Sequence, residues 1–304
     1  MPAAVDPGDP DQRIVEAAAQ LPGRGGVTGW AGLRWMGGSW FDGVDRHGTL
    51  APVPLAVGSG HRRRVHPGLV VSQEVLDLTT VVRHEGVRVT VPLWSVAYEM
   101  RKATSDTAAV VAFEMAAYDD LVSIEELTRF TDSSLWLRWG VERVRRVLPV
   151  LEENSWSPME PVMRLAWTLE EVRPRPLANW PVFDLNGRFV GTPDLIDPVA
   201  GVYGMYDGGL HLAGEVRHRD VTKEAAYRRL GLEGAVMMAG DLADHSPFLA
   251  RLDQAYARAG RRRADDRLWM AGPPRWWVPT STVAQRRALS DDERSRYLTY
   301  RHAA

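Results

Sequence analysis

The sequence predicts an α+β protein in two parts. Short alternating strands followed by several helices fill the first half. A helix, a hairpin, two strands, a second helix and a further strand follow in the second. An Asn186-Gly187 dipeptide between apolar residues marks the hairpin, because that pair tolerates the positive φ angles of a tight turn. A chain of 304 residues is long enough for two domains. They are placed at 21–152 and 153–260, with a flexible lead-in at 1–20 and a basic linker and docking tail at 261–304.

Bulk chemistry narrows the function classes. The 37 basic and 39 acidic residues nearly balance, so a nucleic-acid partner would have to be held by a local patch. With no cysteine there are no disulfides, thiolate metal sites or cysteine nucleophiles, which fits a cytoplasmic protein. No apolar run reaches membrane-spanning length, so no membrane partner is expected. The Pro- and Asp-rich opening has neither a basic start nor an apolar core, and reads as a frayed lead-in, not a secretory signal.

In chain order, 14–21 suggest a short helix ended by Pro22-Gly23. Thr28 is expected to cap a helix carrying Trp30 and Leu33. Trp30, Trp35 and Trp40 read as core aromatics of a small domain, with base stacking as the functional alternative. Residues 52–57, 65–71 and 87–91 read as strands, and Arg62-Arg63-Arg64 as a solvated loop cluster. Pro92 opens a helix to Lys102, Asp106 caps another, and Ser123-Ile124-Glu125-Glu126 is a capping-box pattern. Leu137, Val141, Val144 and Leu148 form one apolar helical stripe.

The second half carries the chemistry. Ser157-Pro158-Met159-Glu160 fits a capping box with proline at the first helical position, which by itself accounts for Glu160; a site carboxylate is the other reading. Arg164 follows one turn later on the same face, suited to phosphate. Thr192-Pro193-Asp194 places a carboxylate before a short strand. A strand over 202–206 puts Tyr203, Met205 and Asp207 on one face. Two aspartates at neighbouring strand ends suit a hard divalent cation, which could polarise a phosphodiester. Pro-Asp and Asp-Gly also mark turns, so the same two residues fit a purely structural reading. The next helix, with Arg217, Arg219, Lys223, Arg228 and Arg229, carries a basic surplus fit to track a DNA backbone, or is an ordinary solvated face.

The segment from Ser157-x-x-Glu160 with Arg164, through Asp194, Met205-Tyr206-Asp207-Gly208, His211 and Arg219-Asp220 to Tyr227-Arg228-Arg229-Leu230-Gly231, resembles the Vsr-like branch of the PD-(D/E)xK nucleases. The resemblance implies a restriction-endonuclease-like core, a central mixed sheet flanked by helices, and a DNA endonuclease or nickase of defence or repair. Asp194 and Asp207 would hold Mg²⁺ or Mn²⁺. Glu160, or Glu215, would stand in for a missing glutamate, and His211 would orient water or donate a proton. DNA would be held by Arg164, Arg217, Arg219, Lys223 and Arg228. Met205 stands where the family usually has glutamate, and a thioether does not ligate Mg²⁺. This degenerate position implies weak metal binding, or a non-cutting protein that binds DNA or a partner toxin. Residues 27–43, with the strand-Pro-helix stretch 89–102, resemble the abortive-infection antitoxin family (AbiEi-like), although its usual winged helix-turn-helix start is not seen.

Overall fold

The computed structural model describes residues 6–45, 48–59, 68–77, 79–168, 173–208, 215–263, 266–270, 272–299 and 301, with backbone alone for 215–222. The chain divides into two compact units, Met1–Glu153 and Asn154–Ala304. It is α+β, with mixed sheets flanked by helices. No described helix is long and apolar enough to cross a membrane.

Unit 1 runs α1 (Pro10–Ala18), β1 (Gly26–Val27), α2 (Gly29–Trp35), β2 (Val53–Ala56), β3 (Leu69–Ser72), β4 (Val81–His84), β5 (Val87–Thr90), α3 (Pro92–Lys102), α4 (Asp106–Tyr118), α5 (Ile124–Ser133) and α6 (Val141–Val147). Its sheet has the order β3-β2-β1-β5-β4. The lead-in is not frayed throughout: Ile14 and Ala17 of α1 are buried in the core. Trp30 joins that core, while Trp40 is 42% exposed. The arginine cluster 62–64 lies outside the described residues.

Two local expectations fail for tertiary reasons. Thr28 does not cap α2 with its side chain, because its hydroxyl is buried and bonded to Thr90 Oγ1 at 2.8 Å. Glu99 Oε1 takes over, accepting from the Trp30 N–H at 2.7 Å. The stripe from Leu137 is broken as well. Gly140 sits at φ +81°, where an added Cβ would lie 2.8 Å from the Arg101 carbonyl oxygen. Only glycine fits there, so α6 starts after it and Leu137 is left 76% exposed. At α5 the Ser123–Glu126 capping box forms in both directions. At α4 the cap is Ser105, one residue before the expected Asp106.

Unit 2 runs α7 (Met159–Trp167), β6 (Leu177–Ala178), β7 (Val182–Phe183), β8 (Phe189–Gly191), β9 (Leu195–Asp197), β10 (Val202–Asp207), α8 (Glu215–Leu230), β11 (Glu233–Met238), α9 (Ser246–Ala259), α10 (Val283–Arg287) and α11 (Asp291–Tyr297). The main sheet has the order β11-β10-β9-β6. β10 lies inside it, antiparallel to β9 and parallel to β11.

Strand alternation divides the packing of unit 2 in two. Val202 joins Met163, Trp167, Phe248 and Leu252, the apolar stripes of α7 and α9. Tyr203 joins Val182, Ile196, Tyr227, Leu232 and Trp269, with Met205 partly buried against the same cluster. β7 and β8 form a separate hairpin. Its turn is longer than two residues: the Asp184 carboxylate accepts from the Asn186 and Arg188 N–H groups, and Gly187 takes φ +77°. The residues after 260 belong to unit 2, where Trp277 stacks on Phe189 with centroids 5.7 Å apart.

Candidate active site around Glu160 and Asp194

Asp194 is positioned by backbone at the mouth of the sheet. It immediately precedes β9, is half-buried, and accepts the Tyr206 N–H of β10 on Oδ2 at 2.7 Å. Its own carbonyl accepts from the Asn179 N–H at 2.9 Å. A carboxylate held this way has one oxygen tied to the sheet.

Glu160 comes to it from the first turn of α7 and is 3% exposed. Its Oε2 accepts the Trp156 N–H at 2.8 Å and the side-chain amide of Asn179. The expected capping box does not form: Pro158 is the N-cap of α7, no side chain caps the helix, and Glu160 reaches back to the Trp156 N–H instead. Burial first, and the neighbouring Asp194 charge second, push the Glu160 carboxyl well above the usual carboxylate range; the hydrogen bonds from Trp156, Asn179 and Ser157 offset part of this. The folded site therefore holds the Glu160 proton more tightly than a glutamate in water does.

Asn179 braces the pair. It adopts φ +46°, a left-handed conformation that asparagine tolerates better than most residues. Its Nδ2 also donates to the Asn154 carbonyl at 2.8 Å, and Asn154 Nδ2 returns a bond to the Ala178 carbonyl at 2.8 Å. From α8, Tyr227 is buried with its hydroxyl unpartnered among the described residues. Burial, then the Asp194 charge, hold that hydroxyl protonated. Neither Asn179 nor Tyr227 stands out as a site residue in the sequence.

The other expected residues are placed differently. Gly204 is the last residue of β10 paired with β9, opposite Leu195, so continuing the register puts Asp194 opposite Met205. Asp207 lies two residues beyond, about 7 Å along the strand. It is exposed and registers instead with Met238 of β11. Among the described residues no three of His, Asp and Glu are grouped to hold a metal ion. The carboxyl that Asp194 faces electrostatically is Glu160. Arg164 is a correction: at 1% exposure it is an interior cation and presents no surface to phosphate.

Lys223 and Arg228 are exposed on α8, and Arg228 also pairs with Glu224 at 2.6 Å. His211 lies outside the described residues, as do the side chains of Glu215, Arg217 and Arg219. No protein-family model matches the chain, and neither a curated protein nor a solved structure shows significant similarity to it.

Proposed function

We propose that unit 2 binds DNA with a phosphodiester at the Glu160–Asp194 pair and nicks or cleaves it with a weakly held Mg²⁺ or Mn²⁺, in the manner of the PD-(D/E)xK nucleases. The observation that carries this is a buried glutamate brought beside a second carboxylate by Asn179, which bonds to both residues; burial, and then the Asp194 charge, raise its proton affinity. Such a pair is tolerated in ionised form only with a cation between its members, and Mg²⁺ commonly takes one or two carboxylates. With the separate β7–β8 hairpin left aside, the order α7-β6-β9-β10-α8-β11 also agrees with the α-β-β-β-α-β order of a nuclease core.

A bound divalent cation supplies neutralising charge and a hydroxide nucleophile at neutral pH. The chain's own groups do the rest. With a cation bound, Glu160 would be ionised and its proton released to solvent. Asp194 is held by the Tyr206 N–H, and Asn179 orients the Glu160 carboxylate. Lys223, Arg228 and the other basic residues of α8 take the strand's phosphates.

One observation favours a second reading, a protein that binds DNA or a toxin without cutting. Met205 packs into the apolar cluster of Tyr203 and Tyr227, and so leaves the acid pair one carboxylate short. Calorimetry with Mn²⁺ and a plasmid-nicking assay separate the two. On the nuclease reading Met205→Glu raises Mn²⁺ affinity about tenfold, equivalent to ~1.4 kcal/mol, and raises nicking with it. Asp194→Ala then abolishes both. If neither the wild type nor Met205→Glu binds Mn²⁺ or nicks DNA, the binding reading stands alone.

The basic helix gives an independent result. Lys223→Ala with Arg228→Ala should weaken binding to all DNA sequences alike and reduce the slope of log affinity against log salt by about 1.8, at about 0.9 per phosphate contact. An unchanged slope in a filter-binding series removes α8 from the interface.

A further inference from the structure

Unit 1 leaves one edge of its sheet open. β3 is a terminal strand of the order β3-β2-β1-β5-β4 and, among the described residues, pairs with β2 alone, in parallel. The Val53 N–H donates to the Gly68 carbonyl at 2.8 Å and the Val57 N–H to the Ser72 carbonyl at 2.9 Å. The alternation of a parallel ladder then turns the backbone groups of Val70 and Ser72 toward β2, and those of Leu69 and Val71 outward. Among the described residues nothing bonds to the outward groups. Sheet edges are normally blunted by charge, proline or a bulge. The far edge has such protection in Arg83 and His84 of β4. Leu69-Val70-Val71-Ser72 has neither charge nor proline, and its register with β2 is unbroken.

The open edge borders a groove of about 550 Å³. One wall is Val70, Val71, Ser72 and Glu74; the other is Tyr98 and Lys102, one turn apart on α3. Val70 registers with Pro54, which lies with Tyr98 over Gly29, so Val70 is on the α3 side of the sheet. The charge at the end of the groove is one-sided. Glu74 is matched by the buried Arg101, with Nη1–Oε1 at 2.7 Å and Nη2–Oε2 at 2.8 Å. Lys102 is exposed and forms no ion pair among the described residues; its Nζ lies 4.4 Å from the centroid of the Trp139 ring. Arg101 also donates to the Trp139 carbonyl, and Arg138 to the Val75 carbonyl, which ties the loop of Trp136, Leu137 and Trp139 beside that end. All three side chains are exposed. Tryptophan is over-represented among the residues that dominate protein interfaces.

We propose that β3 and this groove take up an extended segment of a partner protein, which joins the sheet as a strand beyond β3. Main-chain bonds to Leu69 and Val71 would supply affinity. Alternate apolar side chains would lie over Val70 and Tyr98, and an acidic group would pair with Lys102 at the Glu74 end. The site lies wholly in unit 1 and stands whether or not unit 2 cleaves DNA.

Two labelled peptides test this on the full chain by fluorescence anisotropy: Lys-Thr-Val-Thr-Val-Asp for parallel addition, and the reversed sequence for antiparallel addition. One of them should bind saturably, and replacing its Asp by Lys should weaken it about tenfold. Lys102→Glu should remove that preference. Methylating the alternate peptide nitrogens that point at β3 should abolish binding, and methylating the other set should not. Val71→Pro removes one outward donor and leaves the ladder to β2 intact, so it should weaken the same peptide about tenfold. In the free chain the Leu69 and Val71 amides should exchange rapidly with deuterium, and bound peptide should slow both. If neither peptide binds at millimolar concentration, the proposal is overturned. Slow exchange of both amides in the free chain overturns it too, because the edge is then already covered. Equal binding of the two methylated peptides rules out strand pairing. A concentration-dependent dimer that Val71→Pro dissolves would make a second copy of this chain the occupant and overturn the assignment to a partner.

Discussion

Asn179→Ala should destabilise unit 2 by about 3–5 kcal/mol. The side chain donates to two acceptors that are themselves buried, the Asn154 carbonyl and Glu160 Oε2. Losing both bonds costs about 2–3 kcal/mol, since Glu160 Oε2 keeps the Trp156 N–H and only the Asn154 carbonyl is left unmade. A β-carbon at φ +46° without the compensating amide adds about 1–2 kcal/mol. Asn179→Gly restores the backbone freedom and not the hydrogen bonds, so it should be milder by about 1 kcal/mol. With two units in the chain, a single melting curve is a poor readout. Hydrogen exchange of the β9 and β10 amides reports on unit 2 directly. Protection in Asn179→Ala within 1 kcal/mol of wild type would show that the brace contributes little. On the nuclease reading, plasmid nicking should fall in the same variant, because the amide bonded to Glu160 is gone.

The parts of this architecture that could be read from the chain are those set by near neighbours. The Ser123–Glu126 box needs only residues three apart, and it forms. The alternation that sends Val202 and Tyr203 to opposite faces of β10 needs only the strand period. Asn186-Gly187 announces a turn, although Asp184 makes it longer than a two-residue one. The failures are long-range. Nothing near Gly140 in sequence shows that the Arg101 carbonyl forbids a β-carbon there. Nothing near Thr28 shows that Thr90 claims its hydroxyl and Glu99 the vacant cap.

The candidate site divides the same way. Asp194 at a strand start and Glu160 in a first helical turn are legible as carboxylates with somewhere to be. That they are neighbours is a tertiary matter: Asn179 bonds to both, its N–H to the Asp194 carbonyl and its side-chain amide to Glu160. Asn179 enters through its tertiary bonds to Asn154 and Glu160, and Tyr227 through burial near Asp194, so local patterns miss both. Arg164 shows the opposite error. Helical spacing places it on the face of Glu160, and the same spacing drives it inward once that face is covered.

Glu160→Gln should remove from the metal-free protein a loss of stability with rising pH. The folded-state affinity of Glu160 for its proton is raised by burial and then by Asp194. The sign follows by linkage: the folded chain holds this proton more tightly than the unfolded one. The associated stability is fully present below the ordinary glutamate range, and is lost as pH rises through the raised value. Glutamine cannot lose it, and its oxygen can still accept from Trp156 and Asn179. The variant should match the wild type near pH 4 and melt at a higher temperature at pH 8. Glu99, which burial raises to about 7, has the same sign in unit 1. It is common to both proteins, so the difference between their curves isolates Glu160. A divalent cation at the pair acts the other way, because it favours the ionised carboxylate. Millimolar Mn²⁺ should therefore stabilise the wild type more at pH 8 than at pH 5, release a proton on binding, and leave Glu160→Gln almost unaffected. Calorimetry in two buffers of different ionisation enthalpy counts that proton. Parallel melting curves across pH would remove Glu160 as the buried acid. A variant that binds Mn²⁺ as tightly as the wild type would place the cation elsewhere.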